Sequence, residues 1–184
     1  MMDVVTAPVA VSAWIGVLCN IMKLEFETDE SQCLLLKKRT FENIQFEHLQ
    51  ITGSVDREIR IENCKFLNCS TSCGTCFICG NVTLDRVVIS NLECGDAIHI
   101  DSGVKLKQVV IAGPRPGMLK ITPLDEDGFV TSEPKHSELQ LDISDFYGAV
   151  EIIGISGARI KKDATRQATV RSNWLTEVNW KLLG

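Results

Sequence analysis

The cysteines between positions 64 and 94 carry the most overt chemistry in this chain. Cys69-Ser-Thr-Ser-Cys73-Gly-Thr-Cys76 has C-x3-C-x2-C spacing, and Cys79 adds a further C-x2-C. Soft thiolates at such intervals hold iron–sulfur clusters or zinc, which makes Cys73, Cys76 and Cys79 the candidate metal ligands. Asp96, His99 and Asp101 form a second set, two acids and an imidazole close enough in sequence for general acid–base work. A third lies in residues 122–137, where Asp125, Glu126 and Asp127 precede Gly128 and Phe129. Clustered carboxylates suit a hard cation such as calcium. Arg115, at the tip of Gly113-Pro-Arg-Pro-Gly117, suits an acidic partner.

Each set has a plainer reading. The thiol spacing resembles that of radical S-adenosylmethionine enzymes. Thr75, however, stands where that motif has an aromatic, and the chain is too short for that family's barrel. Cys69 and Cys76 occupy positions that neighbouring stretches fill with Val, Leu or Ile, and free Cys packs as a small hydrophobe. Buried, inert thiols are expected, with no metal and no cofactor. Three acids before a glycine make a solvated turn, and no EF-hand spacing follows them. Arg115, Asp125, Glu126, Asp127 and Phe129 are the candidate partner-binding residues, with a tolerated insertion for the loop and a solvated turn for Arg115 as the plainer readings. No Gly-rich phosphate loop, Ser-His-Asp arrangement or basic aromatic patch occurs.

The elements that must position these residues follow one stencil. Apolar-type positions recur at +2, +5 and +7 in Ile44-Phe46-Leu49-Ile51, Cys64-Phe66-Cys69-Thr71, Val82-Leu84-Val87-Ile89 and Val104-Leu106-Val109-Ile111. Asn43, Asn63, Asn81 and Gly103 precede them, residue types that enter left-handed backbone readily. Shorter inward pairs stand at Leu34/Leu36, Ile59/Ile61, Cys76/Ile78, Ile98/Ile100, Leu119/Ile121, Val150/Ile152 and Ala168/Val170. Period-2 alternation marks strands with one buried face, and repetition at this interval marks a solenoid. Seven inward pairs predict about seven coils. Asp85 and Lys107 fall on comparable outward positions one coil apart, as do Cys79 and Asp101.

The net charge of −5 and the pI near 5.2 exclude a broad basic nucleic-acid footprint. Six of the eight cysteines lie between Cys64 and Cys94, and their core positions favour reduced thiols and a cytoplasmic setting, with secretion as the alternative. The sequons Asn68-Cys-Ser and Asn81-Val-Thr point mildly toward secretion, but Asn81 is wanted for its turn and Asn68 falls inside a strand stretch. Residues 4–22 lack charge yet contain Pro8, Ser12 and Asn20. They are expected to cap the first coil rather than contact a membrane, and no basic region precedes them as in a signal peptide.

Glu58-Ile-Arg-Ile-Glu-Asn-Cys-Lys-Phe-Leu-Asn-Cys69 and Asp96-Ala-Ile-His-Ile-Asp101 resemble coils of the right-handed parallel β-helix, or pectin-lyase-like, superfamily. The likeness spans about residues 34–171. It implies an all-β solenoid and leaves the chemistry open, because that superfamily holds lyases, hydrolases, adhesins and inert scaffolds. Arg159-Ile160-Lys161 is similar to a tripeptide of its polygalacturonases. Those enzymes also require paired aspartates and Gly-His-Gly, whereas this chain has Gly95-Asp96-Ala97 and no Gly-His-Gly.

The expected organisation is an N-terminal cap over residues 1–33, a β-helix over 34–171 with a loop insertion at 122–137, and a C-terminal cap over 172–184 bearing Trp174, Trp180, Leu182 and Leu183. The expected function is a non-catalytic scaffold or protein-binding subunit, with self-association through coil ends as one mode. A small polysaccharide lyase or hydrolase using Asp96, His99 and Asp101 is the alternative.

Overall fold

The computed structural model describes residues 24–122, 139–153 and 155–168. Alternating apolar residues make short strands that cannot bury their inner side alone, so successive rungs stack. The result is a parallel β-solenoid of about five turns with three faces. Face one contains Leu34–Lys37, Ile59–Glu62, Val82–Asp85 and Lys105–Lys107, in parallel order. Face two runs Thr40–Glu42, Lys65–Leu67, Val88–Ser90, Val109–Ala112, Leu141–Asp142 and Ile160–Lys161. Face three holds Gln50–Gly53, Cys76–Gly80, Ile98–Asp101, Met118–Thr122 and Ala149–Ile152. A small extra pair, Gln45–Phe46 with Ser70–Thr71, widens the first two rungs.

The register builds a ladder of like residues through the core. Leu36, Ile61, Leu84 and Leu106 align on face one. Phe41, Phe66, Ile89 and Ile111 align on face two. Ile51, Ile78, Ile100, Ile121 and Ile152 align on face three. Phe41 stacks on Phe66 with centroids 5.0 Å apart, and Phe46 meets Phe41 edge-on at 5.9 Å. Cys64, Cys69 and Cys76 are buried within this core.

Two columns of left-handed residues turn the chain. Lys38, Asn63, Arg86 and Gln108 turn it from face one to face two, and Asn43, Asn68, Asn91 and Gly113 turn it out of face two. Both columns repeat every 22–25 residues. A non-glycine residue in this conformation costs about 1–2 kcal/mol, least for Asn. Here the corner amides of Lys38, Asn43, Asn63, Asn68, Arg86, Asn91 and Gly113 are satisfied by the neighbouring rung, as when Asn63 N–H donates to the Asp85 carbonyl at 2.9 Å and Asn68 N–H to that of Ser90 at 2.9 Å. Asn91 Nδ2 also donates to Asn68 Oδ1 at 3.0 Å, joining two rungs by side chains.

Several expectations are corrected. The inward pairs are not seven equivalent coils: Leu34/Leu36 and Ile59/Ile61 lie on face one, whereas Cys76/Ile78 through Val150/Ile152 lie on face three. Counting both as one series inflated the number of turns. The four stencils also start at different places. Val82–Ile89 and Val104–Ile111 are in register, but Phe66 pairs with Ile89, and Phe46 pairs with Thr71. The turn assigned to Asn81 is made by Gly80, at φ 73°, and Gly103 is not left-handed. Asn68 is a corner residue, not a strand residue.

Within the expected N-terminal cap, Glu27–Thr28 pairs antiparallel with Leu34–Leu35 and covers the first edge of face one, while Leu24 and Cys33 are buried. Residues 4–22, the acidic loop with Asp125, Glu126, Asp127 and Phe129, and the expected C-terminal cap at 172–184 lie outside the described residues. Among the described residues no helix is long and apolar enough to cross a membrane.

Candidate functional site

Strand alternation sends two outward rows across face one: Leu35, Arg60, Thr83 and Lys105, then Lys37, Glu62, Asp85 and Lys107. Arg60, Glu62, Thr83, Asp85, Lys105 and Lys107, together with Glu58, line a shallow groove of about 340 Å³. Glu58 is its hub. Thr83 Oγ1 donates to Glu58 Oε1 at 2.7 Å, and Arg60 Nε and Nη2 donate to Oε2 at 3.1 and 3.0 Å. Lys105 Nζ lies 3.9 Å from Oε1, and Arg60 Nη1 lies 3.9 Å from Asp29 Oδ2. Thr83 is the buried polar side chain among the described residues, and its hydroxyl is satisfied by this carboxylate.

Burial pushes the Glu58 carboxyl up, but the hydrogen bonds from Thr83 and Arg60 and the charges of Arg60 and Lys105 outweigh it, leaving it below its ordinary value. Arg60 is raised in turn by its hydrogen bond to Glu58 and then by that carboxylate's charge. Around this hub Lys37 Nζ pairs with Glu62 at 3.4 Å and Arg86 Nε with Asp85 at 3.2 Å. Asp85 also stands directly opposite Lys107, as the 22-residue offset predicts. A carboxylate held ionised by three partners is poorly suited to moving protons. It is well suited to fixing charged side chains in place.

The candidate acid–base set lies on face three. His99 and Asp101 project from the outer side of one strand, and Asp96 lies exposed in the turn before it. His99 Nε2 is 3.1 Å from Thr122 Oγ1, and its ring meets Phe77 edge-on with centroids 5.2 Å apart. Asp101 Oδ1 accepts from Gly103 N–H at 3.3 Å. The histidine is thus held by a hydroxyl and an aromatic edge, and neither aspartate orients it.

The candidate thiols do not converge. Cys73 is exposed in a turn, Cys76 faces the core, and Cys79 lies on the opposite side of the same strand, where its Sγ donates to Thr52 Oγ1 at 3.4 Å. Burial pushes the Cys76 thiol far up, against the thiolate a metal needs. Cys64 and Cys69 donate to the carbonyls of Leu36 and Phe41 at 3.5 and 3.4 Å. Among the described residues no three His, Cys, Asp or Glu side chains are grouped to hold a metal ion.

Arg115 pairs with Glu93 of its own chain. Lys161, of the Arg159-Ile160-Lys161 tripeptide, bonds Asp142 across adjacent rungs at 2.8 Å, a structural use for that residue. The Glu58 hub escaped the sequence reading because Glu58 and Thr83 are 25 residues apart, and only the register joins them. No family model matches the chain, and no curated protein or solved structure matches it.

Proposed function

We propose that this protein is a non-catalytic β-helical scaffold that presents face one to a protein partner. The observation that carries the reading is the Glu58 hub, which hydrogen-bonds Arg60 and Thr83 and sets Lys105 at ion-pair distance within a mixed-charge pattern on face one. Preorganised charge of this kind sets partner choice and association rate more than raw affinity. The seven described cysteines are unpaired, which supports a reducing, cytoplasmic setting. The acidic loop and self-association remain further contacts within this reading.

The second reading is a carbohydrate-active enzyme of pectin-lyase-like type. It is favoured by His99 and Asp101 sharing one outer surface beside Thr122.

A paired experiment separates the two. Affinity purification with the wild-type chain identifies the partner, and its Kd is then measured against Lys105→Glu/Lys107→Glu and His99→Ala/Asp101→Ala. The scaffold reading expects affinity to fall at least about tenfold for the first variant and to weaken with salt, while the second variant binds normally. A partner that binds both variants alike removes face one from consideration. Polysaccharide cleavage lost in His99→Ala/Asp101→Ala would establish the enzyme instead.

A further inference from the structure

The corner between faces one and two carries a line of cations that the Glu58 hub does not use. Lys37, Lys38 and Arg39 stand there on the first rung, Lys65 on the second, Arg86 on the third and Lys107 on the fourth, all exposed. The register sets them side by side. Lys65 N–H donates to the Arg39 carbonyl at 2.9 Å, and Arg86 N–H to that of Lys107 at 2.8 Å. Adjacent rungs lie about 4.8 Å apart, so the line is about 14 Å long.

Glu62 and Asp85 are the acids within the line, paired with Lys37 at 3.4 Å and with Arg86 at 3.2 Å. Glu42 lies at the opposite end of its strand, beside the second corner. Among the described residues Lys38, Arg39, Lys65 and Lys107 have no acidic side chain at ion-pair distance. Six cations against two carboxylates leave a local excess of four on a chain whose net charge is −5. The backbone points the same way. Lys38 and Arg86 both hold φ 53°, a left-handed conformation that Asn63 between them adopts more cheaply. Two long cations thus stand where asparagine serves the turn better, and strain of this kind gathers at ligand-contacting positions.

We infer that this corner binds an extended acidic segment of the protein partner, an inference that rests on the face-one reading and names the partner's chemistry. Four extended residues span about 13 Å, so a short run of Asp or Glu matches the line. The two carboxylates within it decide the class of partner. Glu62 and Asp85 repel an unbroken row of phosphates, whereas a polypeptide brings backbone N–H donors to them alongside its own carboxylates. The acidic charge of the whole chain opposes nucleic acid as well.

The test follows the fluorescence anisotropy of a fluorescein-labelled hexaglutamate peptide titrated with the full chain. It compares wild type with Lys38→Glu/Arg39→Glu/Lys65→Glu, with the milder Arg39→Gln/Lys65→Gln, and with Lys120→Glu on face three as control. Unchanged β circular dichroism certifies the fold of each. The expected result is saturable binding that weakens with salt, at least about tenfold weaker in the charge-reversed variant and unchanged in the control. No saturable binding up to about 1 mM overturns the inference, as does equal affinity in both corner variants. Tighter binding of an oligothymidylate of the same charge overturns it in favour of nucleic acid. The partner captured on face one supplies the separate readout. If its affinity falls in Lys105→Glu/Lys107→Glu but in neither corner variant, this inference fails and the face-one reading stands; if every variant binds alike, both fail.

Discussion

Three glycines separate two costs that most substitutions confound. Gly117 has open space where a Cβ would stand, and its backbone is not left-handed. Gly117→Ala is therefore expected to stabilise by about 0.4–1 kcal/mol, through a less free unfolded chain. Gly74 is left-handed, at φ 70°, with its nearest potential contact the His48 ring at 3.9 Å. Gly74→Ala meets the left-handed penalty of about 1–2 kcal/mol alone, for a net loss near 1 after the chain-entropy gain. Gly80 is equally left-handed, at φ 73°, but its Cβ would lie 2.1 Å from the carbonyl oxygen of Gly53 on the preceding rung. That oxygen is backbone and accepts from Asn81 N–H at 3.3 Å, so it cannot retreat without parting two rungs. Gly80→Ala should lose more than about 3 kcal/mol, in the range kept for disrupted cores and networks. Urea unfolding followed by circular dichroism supplies the midpoints, with the slopes compared to show that the transition is unchanged. If Gly80→Ala lies within about 0.5 kcal/mol of Gly74→Ala, the close stacking of Gly53 and Gly80 is refuted, and with it the register of face three.

Acid should weaken the fold by a predictable route. Glu58 and Asp142 are held below their ordinary values although burial opposes this, and hydrogen bonds from Thr83 and Lys161 respectively lead the opposing effects. Asp163 is held down to about 2, first by its hydrogen bond from Thr165 and then by that from Arg166. A depressed carboxyl stabilises above its unfolded value and loses that contribution as pH falls through its folded value. Asp163→Asn should thus flatten the stability–pH curve between the ordinary 3.8 and about 2, and Glu58→Gln should flatten it below the ordinary 4.5, both readable from urea midpoints. Alkylation of the native protein with iodoacetamide should modify Cys73 and spare Cys64, Cys69, Cys76 and Cys94 until urea is added, as followed by peptide mass spectrometry. Rapid native labelling of Cys76 would contradict its core position. Asn91→Ala should cost about 1–2 kcal/mol, since it removes both the residue type suited to the corner and the amide bond to Asn68.

Alternation in the sequence identified which residues face inward, and Ile98, Ile100, Val109 and Ile111 are fully buried as it required. Asn43 and Asn63 were legible as corners because asparagine tolerates the left-handed region. Lys38, Arg86 and Gln108 were not legible, since nothing about a long polar side chain announces that conformation. The hydrogen bonds of neighbouring rungs hold it at two of them, Lys38 N–H donating to the Glu62 carbonyl and Arg86 N–H to that of Lys107. Alternation also says nothing about which of three faces a strand joins, and that is why pairs from faces one and three merged into one series. The same limit hid the Glu58 hub while leaving Asp85 opposite Lys107 visible. That pair follows from two stretches in register, whereas Glu58 precedes its strand and reaches Thr83 by its side chain.

The paired corner columns have a consequence for how such a chain can change length. Between Asn63 and Asn68, or Arg86 and Asn91, removing one residue turns every inward side chain of that strand outward and breaks two columns together. Additions within a face are barred for the same reason. A whole rung of 22–25 residues, by contrast, can be duplicated or lost with both columns intact. So can a segment spliced after the end of a strand, where neither column is interrupted. Length in this architecture is quantised, and gradual drift in sequence is permitted only at a few seams.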